Sequence, residues 1–265
     1  MTNLAKKILR ALISLYQKID QSLIKGSSYP KAIVLIYHRI ADLPSDPLSL
    51  AISMNTFESH LVALKEKFEM VSVPELIERL KTKTLKGTEC VITFDDGYRD
   101  NMTAALPIAE KYSVPITIFI STTIFDNPAP FPLDASYNNG VGTYLAREDM
   151  KALAENPLVT LGAHTVHHPR LSRISSEDQQ KEISESKRVL EAIIGKPVTS
   201  FAYPFGGQLD FNADTIKYLK EADYLASFTT IEKAVTPNVN LFKIPRINIQ
   251  NQSSDELLQQ LSKSI

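Results

Sequence analysis

The feature that most constrains this chain is an alternation of strand-like and helix-like segments along nearly its whole length. Short β-branched and aromatic runs, such as Ala32 to Tyr37 and Cys90 to Phe94, alternate with longer stretches at helical spacing. The pattern predicts strands over 31–37, 70–73, 90–94, 115–120, 158–161, 198–202, 224–229 and 242–249. Helices are predicted over 55–68, 74–81, 101–112, 147–155, 176–194, 212–222 and 254–264, with Pro107 straining the third. The segment 121–143 reads as a long loop carrying Pro128, Pro130 and Pro132. Alternation of this kind implies a parallel sheet with helical crossovers. About seven strand–helix units without a Gly-rich phosphate fingerprint favour a barrel, complete or distorted, over an open dinucleotide-binding sheet. The 265 residues fit one α/β domain, here 29–265. In a barrel, functional groups collect where strands end and loops begin.

Residues 1–28 stand apart. Leu4, Ile8, Leu12, Leu15, Ile19 and Leu23 recur at helical spacing, which predicts an amphipathic helix. It packs on the domain or lies on a membrane surface with its lysines at the headgroups. Arg10 and Lys18 bracket only seven residues and no small-residue cleavage site follows, so no cleavable leader is evident. The expected location is cytoplasmic or peripheral to the inner membrane. A formal net charge of −1 leaves no basic excess to hold phosphates, so nucleic acid is not an expected partner. Cys90 is the only cysteine, which excludes an internal disulfide and a thiolate metal cluster.

Two clusters fall at predicted strand ends. The first is Phe94-Asp95-Asp96-Gly97-Tyr98. Adjacent carboxylates cannot share a face on a regular strand, but a turn at Gly97 lets both reach one cleft. Two close carboxylates raise one another's pKa unless a cation intervenes. A divalent metal on one would leave the other as a base; the plainer reading is a helix N-cap before a glycine turn. The second cluster is His164-Thr165-Val166-His167-His168-Pro169, which holds three of the five histidines. Two neutral imidazoles and a carboxylate make a catalytic zinc-type set; a lone histidine is more often a surface or core residue. His38, Asp95, Asp96, His164 and Tyr203 all fall at predicted strand ends.

These two stretches resemble the first two motifs of the polysaccharide deacetylases, carbohydrate esterase family four. The resemblance covers roughly residues 31–250 and implies a distorted (β/α)7-type barrel. It also implies that Asp95 is the general base and that Asp96, His164 and His168 bind a divalent metal. Zn2+ suits that donor set, and Co2+ or Ni2+ would also fit. The chain departs from the commonest pattern. Ala202-Tyr203-Pro204-Phe205-Gly206 stands where an arginine-containing motif is usual, Trp is absent, and no histidine follows His168. Ile36-Tyr37-His38-Arg39 instead resembles the permuted branch typified by bacterial poly-N-acetylglucosamine deacetylases. There the acid histidine comes from the N-terminal side, which makes His38 the candidate acid. Tyr203, Pro204 and Phe205 are then candidates to line an acetyl pocket, and a backbone N–H near Tyr98 to hold an oxyanion. Arg246 is expected to pair with Asp95, to contact sugar, or to form a surface salt bridge. The implied activity is metal-dependent removal of acetyl groups from N-acetylated sugars of a bacterial polysaccharide or lipid-linked glycan. An O-acetyl esterase and a non-catalytic glycan-binding module are the alternatives.

Overall fold

A computed structural model describes residues 31–43, 45–127, 131 and 144–264. The amphipathic helix expected over 1–28 lies outside the described residues, as does most of the loop after 127. The described residues belong to one compact unit, 31–265.

Its framework is a curled, all-parallel sheet. Ten strands are present among the described residues: β1 Ile33–Tyr37, β2 Arg39–Ile40, β3 Ala51–Ile52, β4 Glu69–Met70, β5 Glu89–Phe94, β6 Ile116–Ile120, β7 Val159–Ala163, β8 Ser200–Ala202, β9 Ala226–Phe228 and β10 Ile247–Asn248. Seven of them form a continuous path, β10-β1-β5-β6-β7-β8-β9, and β4 pairs with β5 beside it. Among the described residues a single parallel bridge, Phe228 to Ile244, links β9 to the segment leading into β10. The result is a distorted seven-stranded barrel with one thin seam, as the alternation implied.

The helices are α1 Met54–Lys67, α2 Val73–Thr82, α3 Leu106–Lys111, α4 Arg147–Glu155, α5 Ser176–Ile194, α6 Ala213–Glu221 and α7 Ser254–Ser264. Strand alternation divides the core in two. Ile33, Leu35 and Tyr37 of β1 join Ile92 and Phe94 of β5 against Phe57, Leu61 and Leu64 of α1. Val34 and Val91 join Phe119, Phe228 and Ile244 in a second cluster, to which α2 adds Leu76, Ile77 and Leu80. The rings of Phe119 and Phe228, on strands that are not neighbours in the sheet, lie 5.4 Å apart.

Four local departures from the expected elements have physical causes. The helix expected over 101–112 begins as a π-turn, Asn101–Ala105, in which the Leu106 N–H reaches Asn101 O before Pro107. A proline ring clashes with the carbonyl that an α-helix would set beside it, and a wider turn relieves the clash. The last strand shrinks to Ile247–Asn248, because Pro245 has no N–H for the ladder and Leu241–Lys243 coil into a 3-10 turn. The short strand expected over 70–73 sits at Glu69–Met70. The segment expected as loop between Asp42 and Leu50 is flanked by a small parallel pair, β2 with β3.

Candidate active site

The acidic turn grows directly out of β5. Asp95 N–H still donates to Tyr37 O at 3.1 Å, so the ladder runs one residue past the strand. Asp96 then enters the left-handed region at φ 75°, followed by Gly97 at φ 85°. This breaks the alternation that would have sent the two carboxylates to opposite faces. A Cβ on Gly97 would come within 2.9 Å of the Ile124 side chain, so the turn excludes a side chain by space as well as by φ.

The histidine loop follows β7 in the same way, with His164 N–H donating to Ile120 O at 2.9 Å. His164 Nδ1 lies 2.8 Å from Ala202 O. Because that carbonyl only accepts, Nδ1 carries the proton and the Nε2 lone pair is left to face Asp96. His164 Nε2 and His168 Nε2 stand 3.5 and 3.4 Å from Asp96 Oδ1. One donor atom from each of Asp96, His164 and His168 lies within 4.8 Å of the others. Burial pulls both imidazoles down to about 4, against the opposing pull of the Asp95 charge, so both are neutral at neutral pH. Neutral imidazoles and an ionised carboxylate are the states in which these groups bind a divalent cation. The donor set therefore fits one metal ion with room for further ligands.

Asp95 is left outside that set and is gripped by Arg246. The guanidinium donates to Oδ1 and Oδ2 at 2.8 and 2.7 Å, to Thr93 Oγ1 at 3.1 Å and to Thr229 O at 3.0 Å. Burial pushes the Asp95 carboxyl up, but the charges of Arg246 and His164 and the Arg246 hydrogen bonds outweigh it and hold it at about 2. Asp95 is thus ionised throughout the range in which enzymes work. Arg246 is fully buried and its donors are engaged within the protein. The structure therefore does not bring it to the sugar-binding surface; of the three expectations, pairing with Asp95 is what is observed.

A cleft of about 710 Å³ opens over these groups and is lined by residues that include His38, Asp95, Asp96, Tyr98, His164, His168 and Phe205. His38 lines the same cleft as Asp95 and His168. Its backbone is held by Asn101, whose amide donates to His38 O at 2.7 Å. Asp100 fixes the next residues, accepting from Arg39 Nε at 2.9 Å and Ile40 N–H at 3.0 Å. Tyr98 is buried in the cleft wall, stacked on Tyr144 with ring centroids 5.3 Å apart. Phe205 is 46% exposed at the rim, in the left-handed region at φ 62°, between the His168 ring and the Arg170 guanidinium.

Tyr203 and Pro204 are corrections to the expected pocket lining. Both are buried and neither lines the cleft. Tyr203 stacks on Phe211 at 4.0 Å, and its hydroxyl donates to Phe242 O while accepting from Ser227. With both hydroxyl roles used inside the protein, the side chain turns into the core. The sequence reading also missed Thr93, Asp100 and Asn101, which hold the Asp95 and His38 segments in place. Their signal was modest: polar residues within five positions of Asp96.

The family follows from comparison with known proteins. Residues 82–227, more than half of the chain, match the family model described as polysaccharide deacetylase, and the chain belongs to that family. It is 28% identical over 228 residues to the Bacillus subtilis protein YxkH, a polysaccharide deacetylase by name, covering 85% of this chain and 74% of that one. It is 27% identical over 217 residues to the poly-beta-1,6-N-acetyl-D-glucosamine N-deacetylase of Staphylococcus aureus, covering 78% and 71%. Among solved structures it resembles the Streptococcus pyogenes deacetylase PplD in complex with acetate. That match has a TM-score of 0.74 and 25% identity, and covers 88% of this chain and 99% of that one.

Proposed function

We propose that this protein is a metal-dependent N-deacetylase of an N-acetylated glycan, with a β-linked N-acetylglucosamine polymer as the first substrate to test. The observation that carries the reading is the convergence of Asp96, His164 and His168 on one point, beside an ionised Asp95 that belongs to no donor set. An amide carbon is a poor electrophile and water a poor nucleophile. Asp96, His164 and His168 would hold a divalent cation, which would supply Lewis acidity to the acetyl oxygen and acidify water in the cleft.

Asp95 takes a proton from the attacking water. Each carboxylate oxygen retains a second lone pair beyond the one facing Arg246, so pairing does not block acceptance. Arg246 keeps the Asp95 carboxylate ionised at neutral pH, the state in which it accepts a proton. His38, at the neighbouring strand end in the same cleft, donates to the departing amine nitrogen. The rim at Phe205 gives the acetyl methyl or the sugar ring an apolar surface.

The test is acetate release from β-1,6-linked N-acetylglucosamine oligomers, with and without chelator, followed by mass spectrometry of the product. The reading predicts loss of one acetyl mass per event, abolished by chelation and restored by Zn2+ or Co2+. Release from acetylated xylan alone would indicate an ester substrate. Glycan binding with no release under any metal would indicate a binding module.

A further inference from the structure

We propose that Glu182 is the positioning residue of the histidine loop, setting the distance between His164 and His168 before any cation arrives. The proposal rests on the reading of Asp96, His164 and His168 as a metal site. Glu182 contributes no atom to that donor set. It lies on α5, a 19-residue helix whose start is capped by Ser175 and whose Ile183 and Leu190 are buried in the core. Its carboxylate is therefore fixed relative to the barrel.

From there it reaches back to Val166 and His167, two of the three residues between His164 and His168. Glu182 Oε2 accepts from Val166 N–H at 2.8 Å and His167 N–H at 2.9 Å. Glu182 Oε1 stands 2.7 Å from His167 Nδ1. Successive backbone N–H groups converging on one oxygen form an anion nest, and here the chain's own carboxylate fills it. The dipeptide is clamped from its other side as well, by Thr122 N–H to Thr165 O at 3.1 Å and Thr123 N–H to Val166 O at 2.9 Å.

The clamp sits where the backbone most needs it. Thr165 and His168, on either side of the clamped pair, both hold left-handed φ values of 66° and 57°. Such a conformation in a β-branched residue persists only when its surroundings dictate it. His167 itself is 70% exposed on its side chain, so its ring accounts for little of the clamp; the backbone contacts carry it.

The experiment compares full-length wild type, Glu182→Ala, Glu182→Gln and His167→Ala as metal-free protein. Zn2+ affinity is measured by competition with a chromophoric chelator, and Co2+ loading by visible absorption. Glu182→Ala should weaken Zn2+ binding by about 10–100-fold, the usual loss for a group that orients ligands, and should alter the Co2+ bands. Its metal-free melting temperature should stay near that of wild type. Glu182→Gln keeps an oxygen for both N–H groups and should recover most of the affinity, while His167→Ala should stay near wild type. If Glu182→Ala does not fold, Glu182→Asp, one methylene short of the nest, takes its place with the same expected loss. Equal affinity in Glu182→Ala and wild type overturns the proposal, and so does a Glu182→Gln as weak as Glu182→Ala. Wild-type protein that binds neither Zn2+ nor Co2+ overturns the metal reading itself, and the proposal with it.

Discussion

His38 and Asp96 separate cleanly by experiment. His38→Ala should keep its bound metal and lower turnover by about 10²–10⁴-fold, the usual contribution of a proton donor. Metal analysis beside a rate measurement decides it; wild-type rates would remove His38 from the chemistry. Asp96→Ala should lose metal and activity together. Arg246→Met leaves a buried carboxylate without its partner, a loss of about 3–5 kcal/mol in comparable pairs, visible in denaturant melts. The sign for pH follows from Asp95. Its folded pKa of about 2 lies below the ordinary 3.8, so its pairing with Arg246 contributes stability above pH 4. That contribution, about 2 kcal/mol, is lost as pH falls from about 4 to about 2. At this scale the sequence revealed the donors, because Asp and His at strand ends advertise their chemistry. It concealed the backbone: nothing in the identity of Asp96, Thr165, His168 or Phe205 announces a positive φ. Arg246 was equally ambiguous, since a guanidinium serves a base, a sugar or solvent alike until its neighbours are known.

The elements position these residues through close packing. Gly162, on β7 two residues before His164, is held by space: an added Cβ would run into the Phe119 ring and the Ser200 hydroxyl. Gly162→Ala should therefore cost about 1–3 kcal/mol through overpacking, with weaker Zn2+ binding as His164 shifts; thermal melts and chelator competition read the two effects. The strand–helix order was legible because short, continuously apolar runs alternate with segments at helical spacing. The ends were less so. Pro107 was visible as a strain, while Pro245 lay inside a predicted strand; whether a proline yields a π-turn or shortens a strand depends on what packs beside it. Tyr203 shows the same limit: an aromatic at a strand end faces cleft or core according to partners such as Phe211, which lies eight residues away.

For the whole molecule, bound metal should act as a clasp between β5 and β7. A ligand that binds only the folded state at a hundred times its Kd adds about 2.7 kcal/mol. For a domain of this size that corresponds to a rise of roughly 5–10 °C in Tm. Thermal shift with Zn2+ should show the rise in wild type and none in Asp96→Ala; a wild-type curve indifferent to Zn2+ would contradict the clasp.

The thin seam beside β10 carries a consequence for synthesis on the ribosome. Asp95, Asp96, His164 and His168 all emerge well before Arg246, which reaches Thr229 across that seam and Asp95 over β1. A nascent chain can thus contain Asp96, His164 and His168 while Asp95 still lacks the guanidinium that grips it. The Asp95–Arg246 ion pair can therefore form only once the segment leading into β10 has been made and has docked.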